Sequence, residues 1–578
     1  MNTHRILLLS NVRPSRTWKI ADRITREVPN AEICGIVQRP TEKLPRVQQL
    51  IATESTRQDV SSDRMTSRAY ALFQSLLNGL LNSALWFIHG CPRALSGTTK
   101  STTKKLAEKC SEAGWPLLWT DHIHDPIVAD FVRLQKPDLT ILLGDLPSLP
   151  EPRLIPSCGC IRVCEGKTVE QGTEIRIEHL AKGSDAAFTV TRLSVPFQVY
   201  EGVAEHTLKT DLIADDLVVE TAINLKTQSV QQCSEAVTAW AQLILWPCLQ
   251  QLQTASTKSA PHPPRPRRHR LAWKLSLDTL LLCSPFVIGR NWYRRWRSRY
   301  PVLILTHHLV SDRPHRMGMS TKIFWRQVRF LQRHYRIVSL SQAIELLHLG
   351  NVSTPTAVLT FDDGYADNFL NLRAVAEELE IPVAHFIVTQ PVAVHQEFEH
   401  DVQQGERGAL PLTWDQIRYW SLRGAEFGSH TRTHFDCASP DRARLTHEIV
   451  ESKSDIEAQL GKPVKCFAFP FGGHENMSSE AVEIAAAAYP YFASGFGGEN
   501  VHHEPEADNR HLLRKNLYQH PWELELELQS VFDLVERIKR RLHLGRVESP
   551  ISSHRLLTTL ATSISRNSKP ESRLRVFN

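Results

Sequence analysis

One segment near the middle of the chain constrains the fold more than any other feature. Residues 254–270 read TASTKSAPHPPRPRRHR, a stretch rich in proline, serine and arginine and almost free of large apolar side chains. Such a composition is typical of a linker, because it cannot supply a buried core. The chain has 578 residues, enough for about two to four domains. The segment therefore predicts a boundary between two halves, and we expect few contacts to cross it.

Each half alternates short apolar runs with helical patterns. In the first half, residues 6–9, 31–37 and 139–143 are typical of buried strands. The corresponding runs of the second half are 302–305, 357–361, 384–388, 426–428 and 466–469. Strands that alternate with helices predict an α/β fold with a parallel sheet in each half.

Composition and charge exclude several classes of protein. Hydrophobic residues make up 42% of the chain and charged residues 22%, which is ordinary for globular domains and excludes a disordered, collagen-like or coiled-coil chain. The 11 cysteines are too sparse for a disulfide scaffold, and a net charge of +6 does not indicate nucleic-acid binding. The apolar run at 6–9 is too short for a secretory signal, so we expect a cytoplasmic protein with reduced thiols.

Two stretches, 70–89 and 271–296, are apolar enough to touch a membrane. The first carries polar residues four positions apart on one helical face, which favours an amphipathic helix over a spanning one. The second is interrupted by Lys274 and Asp278 and has Trp and Arg residues at its edges, which suits peripheral association with the inner face of a membrane. The alternative is a core helix with a solvated basic flank.

The strongest chemical signal is TFDDG at 360–364, where an apolar run delivers Asp362 and Asp363 to a glycine turn. The carboxyl ends of parallel strands are where α/β barrel enzymes place their chemistry. Adjacent residues that leave a strand point in different directions, so one carboxylate can hold a metal while the other faces the substrate. By itself the dipeptide also fits a turn with solvated aspartates.

A second signal is the pair His430 and His434, in the sequence SHTRTH after a short predicted strand. Two histidines four residues apart share one face of a helical turn, where a single ion reaches both. Two histidines and one carboxylate leave positions open for water and substrate, as a catalytic metal requires.

Together the two motifs resemble those of the polysaccharide deacetylases, carbohydrate esterase family 4, in which they stand at strand ends of a deformed (β/α)₇ barrel. Other segments are similar to one branch of that family: PVL and HHLV within 301–310, YRIVSL at 335–340, LTWD at 412–415, FAFPFG at 467–472 and LR at 513–514. The resemblance covers about 301–517. It implies a deacetylase domain over 298–545, preceded by a basic linker and apolar segment at 254–297 and followed by a mobile basic tail at 546–578.

The resemblance also implies roles for the motif residues. Asp363, His430 and His434 would hold a divalent metal ion, most often zinc. Asp362 would be the general base that activates water, while the metal polarises the acetyl carbonyl.

Two further roles depend on how this chain departs from the family. In the branch that it resembles, an early histidine donates the proton to the leaving amine; His308 matches that acid, and His307 replaces a tyrosine. Many members carry an arginine in the third motif that orients the base, whereas this chain has Ala468. Arg514 would serve in its place.

The first half resembles the formyltransferases. QKPDLTILLG at 135–144 is similar to a strand of that fold that precedes the catalytic segment G-x-I-N-x-H. Here that segment is GCIRVC, with Arg162 and Cys164 at the catalytic positions, and a later catalytic Asp falls near Tyr200. The resemblance implies a Rossmann-type domain over 1–253 that has lost formyl transfer.

Two functions remain open from the sequence. One is a metal-dependent hydrolase that removes N-acetyl groups from amino-sugars of a polysaccharide or of its lipid-linked precursor. The other is a catalytically weak regulatory protein that binds a carbohydrate or a nucleotide-sugar. The linker predicts that a protein lacking everything before Thr254 stays soluble and metal-loaded.

Overall fold

The three-dimensional structure is a computed structural model. It describes residues 3–39, 79, 83, 85, 86, 88, 89, 99–144, 146, 154–166, 172–182, 186–198, 200–255, 281, 282, 284–350, 352–501, 510–518 and 521–533. Residues 70–78, most of 254–280 and the tail at 546–578 lie outside these ranges, so the expectations for them stay predictions.

The first half contains a seven-stranded sheet. Its strands are β1 (His4–Ser10), β2 (Ala31–Gln38), β3 (Leu117–Trp119), β4 (Leu139–Leu143), β5 (Cys160–Glu165), β6 (Thr173–Leu180) and β7 (Ala187–Val195). They lie in the order β3-β2-β1-β4-β5-β6-β7. The first five are parallel, and β6 and β7 are antiparallel additions at one edge.

Both faces of this sheet are covered. Along β1, Ile6 and Leu8 belong to one buried cluster, and Leu7 and Leu9 belong to another. The helices are α1 (Pro14–Glu27), α2 (Thr99–Ala113), α3 (Pro126–Gln135), α4 (Val203–Leu225), α5 (Val230–Ile244) and α6 (Trp246–Ala255). The prediction of an α/β domain in the first half is confirmed.

Helix α7 (Pro285–Arg297) precedes the second half. The strands that follow are β8 (Val302–His307), β9 (Leu309–Val310), β10 (Gly318–Met319), β11 (Arg336–Ile337), β12 (Thr356–Asp363), β13 (Ala384–Ile387), β14 (Glu426–Ser429), β15 (Cys466–Ala468), β16 (Tyr491–Ser494) and β17 (His511–Asn516). The helices between and after them are α8 (Thr321–His334), α9 (Leu340–Leu349), α10 (Asn371–Glu378), α11 (Thr389–Val394), α12 (Glu399–Gln403), α13 (Trp414–Leu422), α14 (Arg442–Thr446), α15 (Ser452–Leu460), α16 (Ser479–Ala488) and α17 (Pro521–Leu528).

Seven parallel strands of the second half close into a barrel. Their order is β12-β13-β14-β15-β16-β17-β8, and β8 pairs with β12 to complete the ring. The short strand β11 pairs with the beginning of β12. The predicted (β/α)₇ architecture is confirmed, and all five strands predicted in this half are members of the ring.

The register of the barrel brings the sequence motifs to one end. Asp363 lies opposite Ile387, and Ile387 lies opposite Ser429, the residue before His430. On the other side of β12, Phe361 lies opposite His307. The carboxyl ends of β8, β12 and β14 therefore form one continuous part of the rim.

The expectation that few contacts cross between the halves is wrong. One buried apolar cluster contains side chains of both, including Leu217 of α4 and Ala374 of α10. Asp216, which is fully buried, receives hydrogen bonds from Arg373 and from the hydroxyl of Tyr419, the latter at 2.8 Å.

Further polar contacts cross the same interface. Glu378 accepts from Arg13, the residue before α1, at 2.6 Å and pairs with Lys19 at 3.1 Å. The Gln416 side chain donates to the carbonyl of Ile244 at 2.9 Å. We therefore expect a protein without residues 1–253 to aggregate. Removal of the first half would expose the apolar face of the second half and would leave several buried charges without their partners.

Candidate metal and catalytic centre

The predicted metal ligands meet at the rim of the barrel. One ligand atom each of Asp363, His430 and His434 lies within 4.8 Å of the others. Both imidazoles direct Nε2 toward the same carboxylate oxygen: Oδ1 of Asp363 is 3.7 Å from Nε2 of His430 and 3.4 Å from Nε2 of His434. The three side chains therefore converge on one point.

The local backbone that produces this convergence is not helical, which corrects one inference from the sequence. His430 and His434 lie in a loop after β14, rather than on one face of a helical turn. Asp363, Thr431 and His434 have φ values of 68°, 66° and 59°. Non-glycine residues seldom adopt this left-handed region, and such conformations concentrate at functional sites. Tertiary contacts, and not the i, i+4 spacing, bring the two imidazoles together.

Several of these contacts orient the loop. Nδ1 of His430 donates to the carbonyl of Ala468 at 2.8 Å, so its Nε2 is left as the ligand atom. The buried carboxylate of Glu448 accepts from the backbone amides of Arg432 and Thr433 at 3.0 and 2.9 Å. Ala468, which lacks the side chain expected at that position of the family motif, thus contributes its backbone.

The second aspartate, Asp362, is held by side chains other than the three candidate ligands. Oδ1 of Asp362 accepts from Arg514 at 2.6 Å, and Oδ2 accepts from the hydroxyl of Thr306 at 3.1 Å. Arg514 lies on β17, where it pairs in register with Ile304 of β8. The guanidinium predicted to replace the missing motif arginine therefore reaches Asp362 from the neighbouring strand of the closed barrel.

The electrostatics differ between the two aspartates. Burial favours a higher pKa for Asp362, but the charges of Arg514, His430 and His308 outweigh it and lower the pKa to about 2. For Asp363, burial and the neighbouring carboxylates Asp362 and Asp401 raise the pKa well above its usual value. Without a cation, the Asp363 carboxylate is therefore in an unfavourable environment, whereas Asp362 is ionised at neutral pH.

The imidazoles are held in the form that binds metals. Burial lowers the pKa of His430 to about 4 and the pKa of His434 well below its usual value. Both rings are therefore neutral near pH 7, and a neutral ring nitrogen is a ligand.

His308 also lies at this rim. It interacts electrostatically with Asp362, Arg514 and Asp401. Burial lowers its pKa below the usual histidine value. His307 is the last residue of β8, and burial lowers its pKa to about 3.

A third histidine lies beside the ligands, and the sequence did not point to it. The ring of His400 is 4.1 Å from that of His434, and its Nε2 is 3.8 Å from Oδ2 of Asp363. The hydroxyl of Tyr365 donates to Asp401 at 2.7 Å and lies 3.4 Å from Nε2 of His400. His400 belongs to α12, and no motif or spacing marks it; the fold alone brings it to the site.

The donor set fits a single divalent cation. Two ligand atoms bound tetrahedrally at about 2.0–2.2 Å from a zinc ion lie about 3.3–3.6 Å apart. The two nitrogen–oxygen distances at Asp363 are 3.4 and 3.7 Å, too long for hydrogen bonds but close to that spacing. Oδ1 of Asp363 and Nδ1 of His434 are buried and have no hydrogen-bond partner in the described part of the chain. This composition defines a candidate site for one metal ion, with a second, separately held carboxylate at its side.

Comparison with known protein families identifies the domain that carries this site. Residues 350–489 match the family model described as polysaccharide deacetylase. The second half of the chain therefore carries a polysaccharide deacetylase domain. No curated protein matches the chain.

Three solved structures illustrate the range of similar folds. The Streptococcus pyogenes deacetylase PplD in complex with acetate is 18% identical, over 40% of this chain and 99% of that one, with a TM-score of 0.34. IcaB from Ammonifex degensii is 19% identical, over 40% and 97%, with a TM-score of 0.33. Glycinamide ribonucleotide transformylase 1 from Symbiobacterium toebii is 12% identical, over 38% and 86%, with a TM-score of 0.22. The family assignment of the second half rests on the match of 350–489, and its fold rests on the closed barrel described above.

In the first half, the positions that match the catalytic residues of formyltransferases make structural contacts. Arg162 of β5 is paired with Glu178 of β6. The backbone amide of Tyr200 donates to the carbonyl of Asp312, in the second half, at 3.0 Å. These residues hold the sheet and the interface together.

Proposed function

We propose that this protein is a metal-dependent hydrolase that removes N-acetyl groups from amino-sugars of a polysaccharide or of its lipid-linked precursor. The observation that carries the proposal is the convergence of Asp363, His430 and His434 beside a separate, ionised Asp362. When bound by those three residues, a divalent ion, in our proposal zinc, supplies Lewis-acid chemistry toward the acetyl carbonyl and a water molecule.

Asp362 is the proposed general base. Its carboxylate is ionised at neutral pH and is fixed from two sides, by Arg514 and by Thr306. It accepts a proton from the attacking water, and Arg514 acts as a positioning residue that keeps the carboxylate in one orientation.

His308 is the proposed general acid. Expulsion of an amine from the tetrahedral intermediate requires a proton, because the amide anion is a poor leaving group. Burial disfavours the protonated ring, but Asp362 and Asp401 favour it. Asp362 thus takes one proton from the water and a protonated His308 gives a second proton to the leaving amine; transfer of a proton from Asp362 to His308 through solvent then restores both groups.

The substrate class follows from the family and from the composition of the site. The ring of Phe471, 58% exposed, packs edge-on against His434 and offers an apolar surface at the outer edge of the centre. In our proposal the amino-sugar lies against this ring with its acetamide over the metal ligands, and the reaction takes place in the cytoplasm on a carbohydrate precursor.

An acetate-release assay on a panel of N-acetylhexosamine oligomers tests the proposal. We expect release by the metal-loaded protein, loss of release with a chelator, and recovery when zinc is added back. Metal content is measured on the same preparations. His348→Ala is the matched control, since His348 is bonded to Tyr491 away from the rim and should keep both metal and activity.

Two outcomes would contradict the proposal. Protein that binds no metal at neutral pH would favour the regulatory, carbohydrate-binding alternative. Acetate release that is untouched by chelator would exclude the metal-dependent mechanism.

A further inference from the structure

Helix α7 (Pro285–Arg297) presents a row of aromatic side chains to the surface. Phe286, Trp292, Tyr293 and Trp296 are 58%, 63%, 53% and 66% exposed. The rings of Trp292 and Trp296 are stacked 6.3 Å apart, and Tyr293 lies 6.1 Å from Trp296. We call these four side chains the aromatic face.

The opposite side of α7 packs against the protein, and it carries polar side chains beside the buried Val287. Asn291 is buried and donates to the side chain of Gln529 at 2.6 Å. Arg294 pairs with Glu499, and Arg290 donates to the carbonyl of Gln529. A core helix has the reverse arrangement, with apolar side chains inward and charges outward. In α7, by contrast, the four aromatic side chains are turned outward and Asn291 is buried.

Tertiary structure also joins the two stretches that the sequence marks as apolar enough for a membrane. Leu85 and Ile88 of the first stretch pack in one buried cluster with Leu282 and Val287 of the second. Arg295 donates to the carbonyl of Ile88 at 2.8 Å. These apolar side chains pack on the inner side of α7, opposite the aromatic face.

The charges that α7 itself carries are of one sign. The sequence of α7, PFVIGRNWYRRWR, has no acidic residue, and three arginines lie in its last turn. The guanidinium of Arg297 lies 5.8 Å from the ring centre of Trp296. Tryptophan and tyrosine are enriched at the headgroup level of bilayers, and neighbouring arginines pair with anionic lipid phosphates.

We propose that the aromatic face of α7 docks the protein onto a lipid bilayer that contains anionic headgroups. The helix has 13 residues, about 20 Å in length, which is too short to span the hydrocarbon core of about 30 Å. It lies in the plane of the interface, with its aromatic rings among the headgroups and Arg297 at the phosphates. Its polar inner side remains attached to Gln529 and Glu499.

Gly289 offers a sharp test because it lies on the aromatic side of the helix and a Cβ there meets no atom within 4 Å. Gly289→Glu and Gly289→Lys both favour the helix over glycine and differ only in the sign of the added charge. Full-length protein is sedimented with vesicles of phosphatidylcholine alone or of phosphatidylcholine with about 30% phosphatidylglycerol, which gives the vesicles a negative surface charge. We expect binding to the anionic vesicles, about tenfold weaker binding for Gly289→Glu, and equal or stronger binding for Gly289→Lys.

A second pair of variants tests the rings. Trp292→Ser combined with Trp296→Ser should reduce vesicle binding by about tenfold or more, whereas Leu422→Ser, at an exposed leucine of the barrel, should leave it unchanged. Brominated lipids should quench tryptophan fluorescence of the wild type more than that of the double variant. Three results would each overturn the proposal. The wild type could fail to bind either vesicle, or both glycine variants could bind equally. The wild type could also form a dimer through this face, with the double tryptophan variant a monomer. Acetate release from soluble oligomers is measured in parallel and is independent of the outcome.

Discussion

The rim of the barrel and the interface between the halves use buried charge in opposite ways. At the interface, Asp216 is satisfied by Arg23 and Arg373 and by the hydroxyl of Tyr419. At the rim, Asp363 has a buried carboxylate oxygen with no hydrogen-bond partner in the described residues, surrounded by neutral imidazoles.

The difference separates charge that holds the fold together from charge that awaits a ligand. An unsatisfied buried polar group costs about 1–3 kcal/mol and persists only when something else compensates it. A satisfied buried pair is costly to break from one side, because the remaining partner is left uncompensated. Mutation should therefore affect function at the rim and stability at the interface.

The largest effect is expected at the ligands. Asp363→Ala or His434→Ala should abolish metal binding and reduce acetate release by at least about 10³-fold, since the Lewis-acid chemistry is lost. The melting temperature should stay close to that of the wild type, because no satisfied pair is broken. A variant that keeps full metal content would refute the ligand assignment.

The next effect is expected at the acid. His308→Ala should lower kcat by about 10²–10⁴, the usual contribution of general acid catalysis, while metal content is unchanged. His307→Ala should be milder. If His308→Ala keeps a near-wild-type rate while His307→Ala is inactive, His307 is the general acid. If both variants are active, His400 becomes the next candidate for the general acid.

At the interface the prediction is reversed. Asp216→Ala should lower the free energy of unfolding by about 3–5 kcal/mol, because Arg23 and Arg373 are left without their buried partner. The turnover of the protein that remains folded should not change. As a control, Asp22→Ala removes an exposed pair with Arg26 on α1 and should cost less than about 0.5 kcal/mol.

The smallest effect depends on pH. Burial favours a higher pKa for Glu378, but Arg13 and Lys19 outweigh it and lower the pKa to about 2, from an ordinary value of 4.5. A lowered carboxyl pKa stabilises the folded state above the unfolded value and loses that stabilisation as the pH falls toward 2. Glu378→Gln should therefore lower the free energy of unfolding by up to about 3 kcal/mol at pH 7. In urea unfolding, the difference in this free energy between variant and wild type should become smaller at pH 3. A difference that stays constant with pH would mean that the variant loses packing contacts and not a charge interaction.

Local sequence was sufficient for the parts of the centre that lie close together along the chain. TFDDG lies at a strand end because an apolar, β-branched run precedes the carboxylates, and β12 continues to Asp363, two residues beyond the predicted strand at 357–361. The separation of roles between Asp362 and Asp363 also follows from sequence, since consecutive strand residues point in different directions.

The sequence by itself thus determined the two α/β halves, the candidate metal ligands and the proposed base, because strand ends and short motifs depend on neighbours in the chain. Only the tertiary structure decided that Arg514 reaches Asp362, that His400 lies against His434, and that α4 shares a core with α10. Those contacts join residues far apart in sequence, and they depend on the closing register of the barrel and on which faces of the helices meet. The orientation of α7 belongs to the same class: its composition suits either a core or an interface, and its contacts with Gln529 and Glu499 are what turn its aromatic side outward.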